Sequence, residues 1–176
     1  MTKTKTGKEI TIRYPRKSDA EEMWRYINEL SKEKTFVRFQ GEEVSFEDES
    51  KYLETMLKRI EEKKSVTLMA FFGEEIIGIT DINMMEKTEK HIGVFGISVA
   101  KDYRNDGVGK ILMEKVIEEA KKNIEELKII ILEVYAKNSI AKRVYEGFGF
   151  KQYGLLPEGI IRDEGFDDAL FMYKKI

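Results

Sequence analysis

Cysteine is absent from all 176 residues, which excludes disulfides, thiolate metal sites and any reaction that holds a group covalently on a protein thiol. No charge sign dominates either. The chain has 31 Lys and Arg against 33 Asp and Glu, and a formal net charge of −2 gives no electrostatic case for nucleic acid or an anionic membrane as partner. Long apolar runs are missing, so no segment is built to span a bilayer, and residues 1–8 are basic and Thr-rich without the apolar core of a signal peptide. A cytoplasmic protein is expected. The single histidine, His91, begins an apolar segment, where a surface position is a more ordinary reading than a catalytic base. Repeats, low-complexity tracts and linkers are lacking too, and 41% hydrophobic residues over this length suit one domain, residues 1–176.

What is present reads β-α-α-β-β-β-α-β-α-β-β, a mixed α/β pattern. Ile10 and Ile12 alternate in a first strand. Ser18-Asp19-Ala20-Glu21 has the form of a capping box for a helix to about Leu30. Ser45-Phe46-Glu47-Asp48 starts another helix, with Tyr52, Leu53, Met56, Leu57 and Ile60 as its apolar stripe. Strands are predicted at 65–72, 76–84 and about 91–99, the first two joined by a hairpin turn at Gly73-Glu74-Glu75. Val108, Ile111, Leu112, Val116 and Ala120 make a helical stripe that must pack on the sheet. The last two strands, 150–155 and 169–174, are expected to flank a long acidic loop.

Between the third predicted strand and that helix runs Arg104-Asn105-Asp106-Gly107-Val108-Gly109-Lys110. Glycines here remove Cβ atoms where backbone must approach a ligand, and the first helical turn offers unpaired N–H groups and a positive dipole end. The stretch should bind a phosphorylated cofactor. It is not a Walker A loop: Arg104 stands where the first glycine belongs, and Ile111 replaces the Ser or Thr that would hold magnesium. Nor is it a Rossmann turn, because Leu112 occupies the third glycine position and no N-terminal βαβ unit precedes it. ATP and NAD are thereby disfavoured.

A second block, Leu132 to Phe150, runs from an apolar strand through Asn138 into a short helix bearing Ala141 and Tyr145, then a Gly-Phe-Gly-Phe turn. The Arg-x-x-Gly-x-Gly loop and this block, in this order and joined by one amphipathic helix, resemble the GNAT acetyltransferase superfamily over residues 65–175. The resemblance implies a mostly antiparallel mixed sheet with central splayed strands and flanking helices, and acetyl-CoA as cofactor without a metal. It implies that amides of Asn105, Asp106, Gly107, Val108, Gly109 and Lys110 cradle the pyrophosphate, with Arg104 contacting it or bracing the loop. Backbone of Ile97 and Val99 would bind the pantetheine arm and donate to the thioester oxygen as charge develops there. Asn138 would touch the pantetheine amide, cap its helix, or do both. Tyr145 would protonate the departing thiolate.

The general base is open among Asp81, an acid in an otherwise apolar strand, and Glu133, flanked by Leu132 and Val134 on the next central strand. Phe36, Phe39, Glu42 and Glu43, in the segment between the first two helices, combine aromatics with acids and suit a cationic amine. The expected activity is acetyl transfer to a primary amine, whether a small amine, a polyamine or a protein N-terminus, by a monomer or homodimer. A non-catalytic acyl-CoA-binding regulatory domain is the alternative; it would need the glycine loop but neither Tyr145 nor a base.

Overall fold

The computed structural model describes residues 2–176, which form two compact units. The first comprises the chain up to Asn83 together with Gly96–Glu125, and the second comprises Met84–Phe95 and Glu126–Ile176.

In the first unit, strands β1 (Thr2–Lys3), β2 (Glu9–Arg13), β3 (Ser65–Phe72) and β4 (Glu75–Met84) are neighbours in that order, each pair antiparallel. Alternation of side chains explains β4: Thr80 and Ile82 are buried on one face, while Ile79, Asp81 and Asn83 share the half-open other face. Helices α1 (Ala20–Lys32) and α2 (Phe46–Glu61) pack against each other, and α2 also packs on β3. Met23, Tyr26, Leu30, Leu53, Met56, Met69, Phe71 and Ile76 form the core between them. Each such side chain contributes about 1.5–3 kcal/mol through burial, so truncating Met69 to Ala would cost about 2–5 kcal/mol. Helix α3 (Val108–Asn123) packs on β3 and buries Val108, Leu112, Met113, Val116, Ile117 and Ala120.

Both expected helix starts exist, but one is capped differently. Ser45 accepts from the Asp48 N–H at 3.1 Å, as its position predicts. Ser18 is not the cap of α1; it lies inside a 3₁₀ turn, and Asp19 is the N-cap. The Asp19 carboxylate serves the preceding chain instead, accepting from Arg16 N–H at 2.7 Å and from the Arg13 guanidinium at 2.7 and 2.8 Å. A bidentate arginine competes better for the carboxylate than a helix N–H does.

In the second unit, residues 92–94 of β5 (Ile92–Val99) pair in parallel with residues 129–131 of β6 (Ile129–Tyr135), and that ladder ends at Val94 and Ile131. Strand β6 then pairs antiparallel along its whole length with β8 (Gly165–Lys175), which pairs with β7 (Lys151–Arg162). The short helix α4 (Ser139–Gly147) follows β6. The long acidic loop expected before β8 is not a loop. β7 and β8 run on as one hairpin to a two-residue turn at Asp163-Glu164, with a register shift between Leu156 and Ile160. Two acids of that stretch lie inside β8: Asp167 is buried, and Asp168 accepts the Glu158 N–H at 2.9 Å. Among the described residues, no helix is long and apolar enough to cross a membrane.

Candidate functional site

The chemistry-bearing residues fall in both units. In the first, β5 leads through a 3₁₀ turn at Lys101–Tyr103 into the glycine loop. Asn105 (φ 63°) and Gly107 (φ 89°) take left-handed backbone, and Gly107 is the N-cap of α3. The amides of Val108, Gly109 and Lys110 therefore open the helix with no preceding turn to supply carbonyls. A Cβ on Gly109 would meet only Val99 and Ile97 side chains at ordinary contact distances, 3.7 and 3.9 Å. That glycine keeps the loop backbone free of a side chain of its own at this point.

The side chains of the loop turn to the protein. Arg104 donates from Nε to the Val99 carbonyl at 2.8 Å and forms an ion pair with Glu33 at 2.6 Å, so it braces the loop. Val99's carbonyl is engaged by the same contact. The buried Asp106 carboxylate accepts from the Thr6 N–H and hydroxyl, each at 2.7 Å. Burial works against its charge, yet the hydrogen bonds from Thr6 and Thr4 and the positive charge of Lys8 hold it below the usual carboxylate range.

Asp81 lies on β4 in register with Thr67 of β3. Burial pushes its carboxyl up to about 6, opposed by hydrogen bonding from Asn83 (2.8 Å) and the positive charge of Arg38. Room for it comes from Gly96: a Cβ there would lie 3.2 Å from Asp81 Oδ1. Two further groups share this environment. Tyr52 of α2 has its hydroxyl pushed up to about 12 by desolvation and then by the negative charges of Asp81 and Glu49. Glu49 is buried, its pKa is raised by that burial, and its carboxylate has no hydrogen-bond or ion-pair partner among the described residues. Sequence reasoning passed over Glu49. The available signal was its spacing, four residues before Leu53 and seven before Met56, which puts a carboxylate on the buried stripe of α2.

The segment before α2 is pinned to α1 by Trp24 Nε1, which donates to the Val44 carbonyl at 2.8 Å, and by both ends of the Asn28 amide on Val44. Phe36 and Phe39 are partly exposed there. The Glu42 carboxylate accepts the Gln40 N–H, while Glu43 is exposed and acts on the charge of Lys32. It is Arg38 of this segment, exposed and without an ion-pair partner among the described residues, whose charge reaches Asp81.

In the second unit, Tyr145 of α4 is buried edge-on to Phe95 (centroids 5.9 Å apart) and tilted against Phe150 (6.1 Å). Burial pushes its hydroxyl up to about 12, and that hydroxyl has no hydrogen-bond partner among the described residues. Asn138 caps α4, its Oδ1 accepting from the Ala141 N–H at 3.1 Å. Glu133 stands exposed on β6, opposite Phe171 of β8, on the face away from buried Leu132 and Val134.

A model of the Acetyltransferase (GNAT) family matches residues 14–150. The crystal structure of the GNAT-family acetyltransferase from Streptococcus pneumoniae is similar with a TM-score of 0.87 at 31% identity, covering 96% of this chain and 100% of that one. The chain is 29% identical over 106 residues to L-amino acid N-acetyltransferase AaaT of Escherichia coli K12, covering 60% of this chain and 65% of that protein. It is 32% identical over 94 residues to the ribosomal protein bS18-alanine N-acetyltransferase of the same organism, covering 53% and 59%. The chain spans less than two thirds of the length of these two curated relatives.

Proposed function

The chain belongs to the GNAT acetyltransferase family, and from that membership we propose that it is an acetyl-CoA-dependent N-acetyltransferase, one domain over residues 1–176, that acetylates the amine of a free α-amino acid. The observation that carries the catalytic reading is a pair of groups displaced from their ordinary ranges: a carboxyl at about 6 on Asp81 and an unpartnered phenol at about 12 on Tyr145. One can take a proton near neutrality and the other can hold one to give.

The loop fits the cofactor's phosphates. Gly107 has the backbone only glycine adopts readily, Gly109 carries no side chain, and three helix-opening amides are without carbonyls of their own. Acetyl-CoA, when bound, supplies an acetyl group activated as a thioester. Asp81, ionised above about pH 6, takes a proton from the acceptor ammonium so that the free amine can attack. An amide of the stretch Ile97–Val99 donates to the carbonyl oxygen as negative charge grows there. Tyr145 Oη gives its proton to the departing sulfur, and the Asn138 Nδ2 donors hold an amide of the cofactor. Glu133 receives no role, because its exposed position follows from strand alternation alone.

The acceptor reading rests on Arg38 and Glu49. A guanidinium with no partner of its own, close enough to act on Asp81, suits the carboxylate of a molecule whose ammonium goes to Asp81. The orphan Glu49 carboxylate adds negative potential for that ammonium. Glu42 and Phe36 remain candidates for shaping the acceptor end, beside Phe39 and Glu43. The near balance of charge supports a small acceptor rather than nucleic acid or lipid, and a cytoplasmic monomer or homodimer belongs to the same proposal. Steady-state transfer to free amino acids, their amides and polyamines checks the acceptor: Arg38→Ala should raise KM for amino acids by about 10-fold and leave the amides unchanged. An equal effect on both removes Arg38 from the acceptor site.

A further inference from the structure

We propose that the N-terminal turn Thr4–Lys8 is part of the cofactor site and that the Lys5 ammonium binds a phosphate of acetyl-CoA. The proposal rests on the reading of the glycine loop given above. The turn is ordered from within: Thr4 N–H donates to the Lys8 carbonyl at 3.0 Å, Lys8 N–H to Thr4 Oγ1 at 3.2 Å, and Gly7 N–H to the Thr4 carbonyl at 3.1 Å. It is then fastened to the glycine loop at three points. Lys5 N–H donates to the Asp106 carbonyl at 2.9 Å, and Thr6 gives the Asp106 carboxylate two bonds of 2.7 Å. Lys8 lies over the Tyr103 ring, its Nζ 4.5 Å from the centroid.

These contacts leave the Lys5 side chain with a defined course. Its stem runs alongside Gly107, with Cγ, Cδ and Cε at 3.3, 3.8 and 3.7 Å from where a Cβ of that residue would stand. Gly107 is the N-cap of α3, so this stem passes the residue from which the helix amides open. The Asp106 carboxylate accepts from Thr6 and makes no ion pair with Lys5. Among the described residues the Lys5 ammonium has no ion-pair partner, whereas Lys8 is committed to its ring and Arg104 to Glu33. A cation without an ion pair, carried on a turn fastened to the phosphate cradle, suits a phosphate of the cofactor. The clamp from Asp106 to Thr6 keeps the turn, and with it Lys5, in place before the cofactor arrives.

Coenzyme A offers a pyrophosphate and a 3′-phosphate, and dephospho-CoA lacks the second. The test is calorimetric binding of CoA and dephospho-CoA to the full chain, wild type and Lys5→Ala, at low and high salt, with Gly109→Val as a check on the loop itself. Lys5→Ala should weaken CoA by about 3- to 30-fold, with a shallower salt dependence, and Lys5→Arg should restore most of it. Loss of the distinction between CoA and dephospho-CoA in Lys5→Ala assigns the 3′-phosphate; equal weakening of both assigns the pyrophosphate. Asp106→Asn should weaken CoA in the same sense by loosening the turn. Unchanged CoA affinity in Lys5→Ala alongside clear weakening in Gly109→Val overturns the proposal and leaves the loop reading standing. Unchanged affinity in both variants overturns the loop reading as well.

Discussion

Asp81 and Tyr145 are both displaced by burial, and the displacement has opposite consequences for the two. For Tyr145 it secures the proton but makes giving it up harder. Passing a proton from a phenol at about 12 to a thiolate whose conjugate acid lies at about 8.5 is uphill by roughly 5 kcal/mol at equal solvation. A thiolate leaving in apolar surroundings would be poorly solvated, which would raise its proton affinity and narrow the gap. For Asp81 the displacement brings a carboxyl into the range where a general base works. Activity, read as kcat/KM, should climb through about pH 6 and level above it, and Asp81→Asn should lower it by about 10² to 10⁴. The same residue should cost stability. Its folded pKa is raised, so the folded state holds the proton more tightly than the unfolded state, and stability falls as pH rises from about 4 through 6. Asp81→Asn should therefore melt higher than wild type at pH 8, by about 1–3 kcal/mol, and lose that advantage near pH 4. Melting curves at the two pH values decide it; an equal difference at both would mean that Asp81 is not strained by ionisation.

The glycine loop and the helix it opens show what local sequence can and cannot convey. Loop, strand and helix were readable because glycine spacing and apolar patterning are properties of neighbouring residues, and β3 runs over Ser65–Phe72 as its apolar run predicts. The clamp on that loop was not, since Thr6 and Asp106 meet across 100 positions of chain. The environment of Asp81 was hidden for the same reason: its suspicion rested on an acid in an apolar strand, while Gly96 and Arg38 come from other elements. The part of the β7–β8 hairpin between residues 155 and 169 reads as a loop in the sequence because its acids interrupt the apolar alternation, although Asp168 is spent on a backbone N–H of the facing strand. Structure also separates the two loop glycines. Gly107 sits at positive φ against the Lys5 stem, so Gly107→Val should cost stability, about 1–2 kcal/mol, as well as affinity. Gly109 has no such constraint, and Gly109→Val should keep its melting temperature while losing about 10- to 1000-fold in CoA affinity. A folded Gly109→Val with wild-type affinity would remove the loop from the site.

For the molecule as a whole, the question is whether it transfers acetyl groups or only holds a thioester. Cofactor binding does not decide this, because the loop, the N-terminal turn and Asn138 would serve a silent acyl-CoA-binding domain equally well. Tyr145 and Asp81 have no use in such a domain. The absence of cysteine means that no acyl-cysteine intermediate can form on this chain. The decisive measurement is acetyl transfer from acetyl-CoA to free amino acids by wild type and Tyr145→Phe side by side, reading both thiol release and acetylated product, with CoA affinity measured on the same preparations. Wild type should turn over with product matching thiol, and Tyr145→Phe should lose about 10² to 10⁴ in kcat at nearly unchanged CoA affinity. Tight CoA binding with no product from any amine, or a Tyr145→Phe variant as fast as wild type, would contradict it.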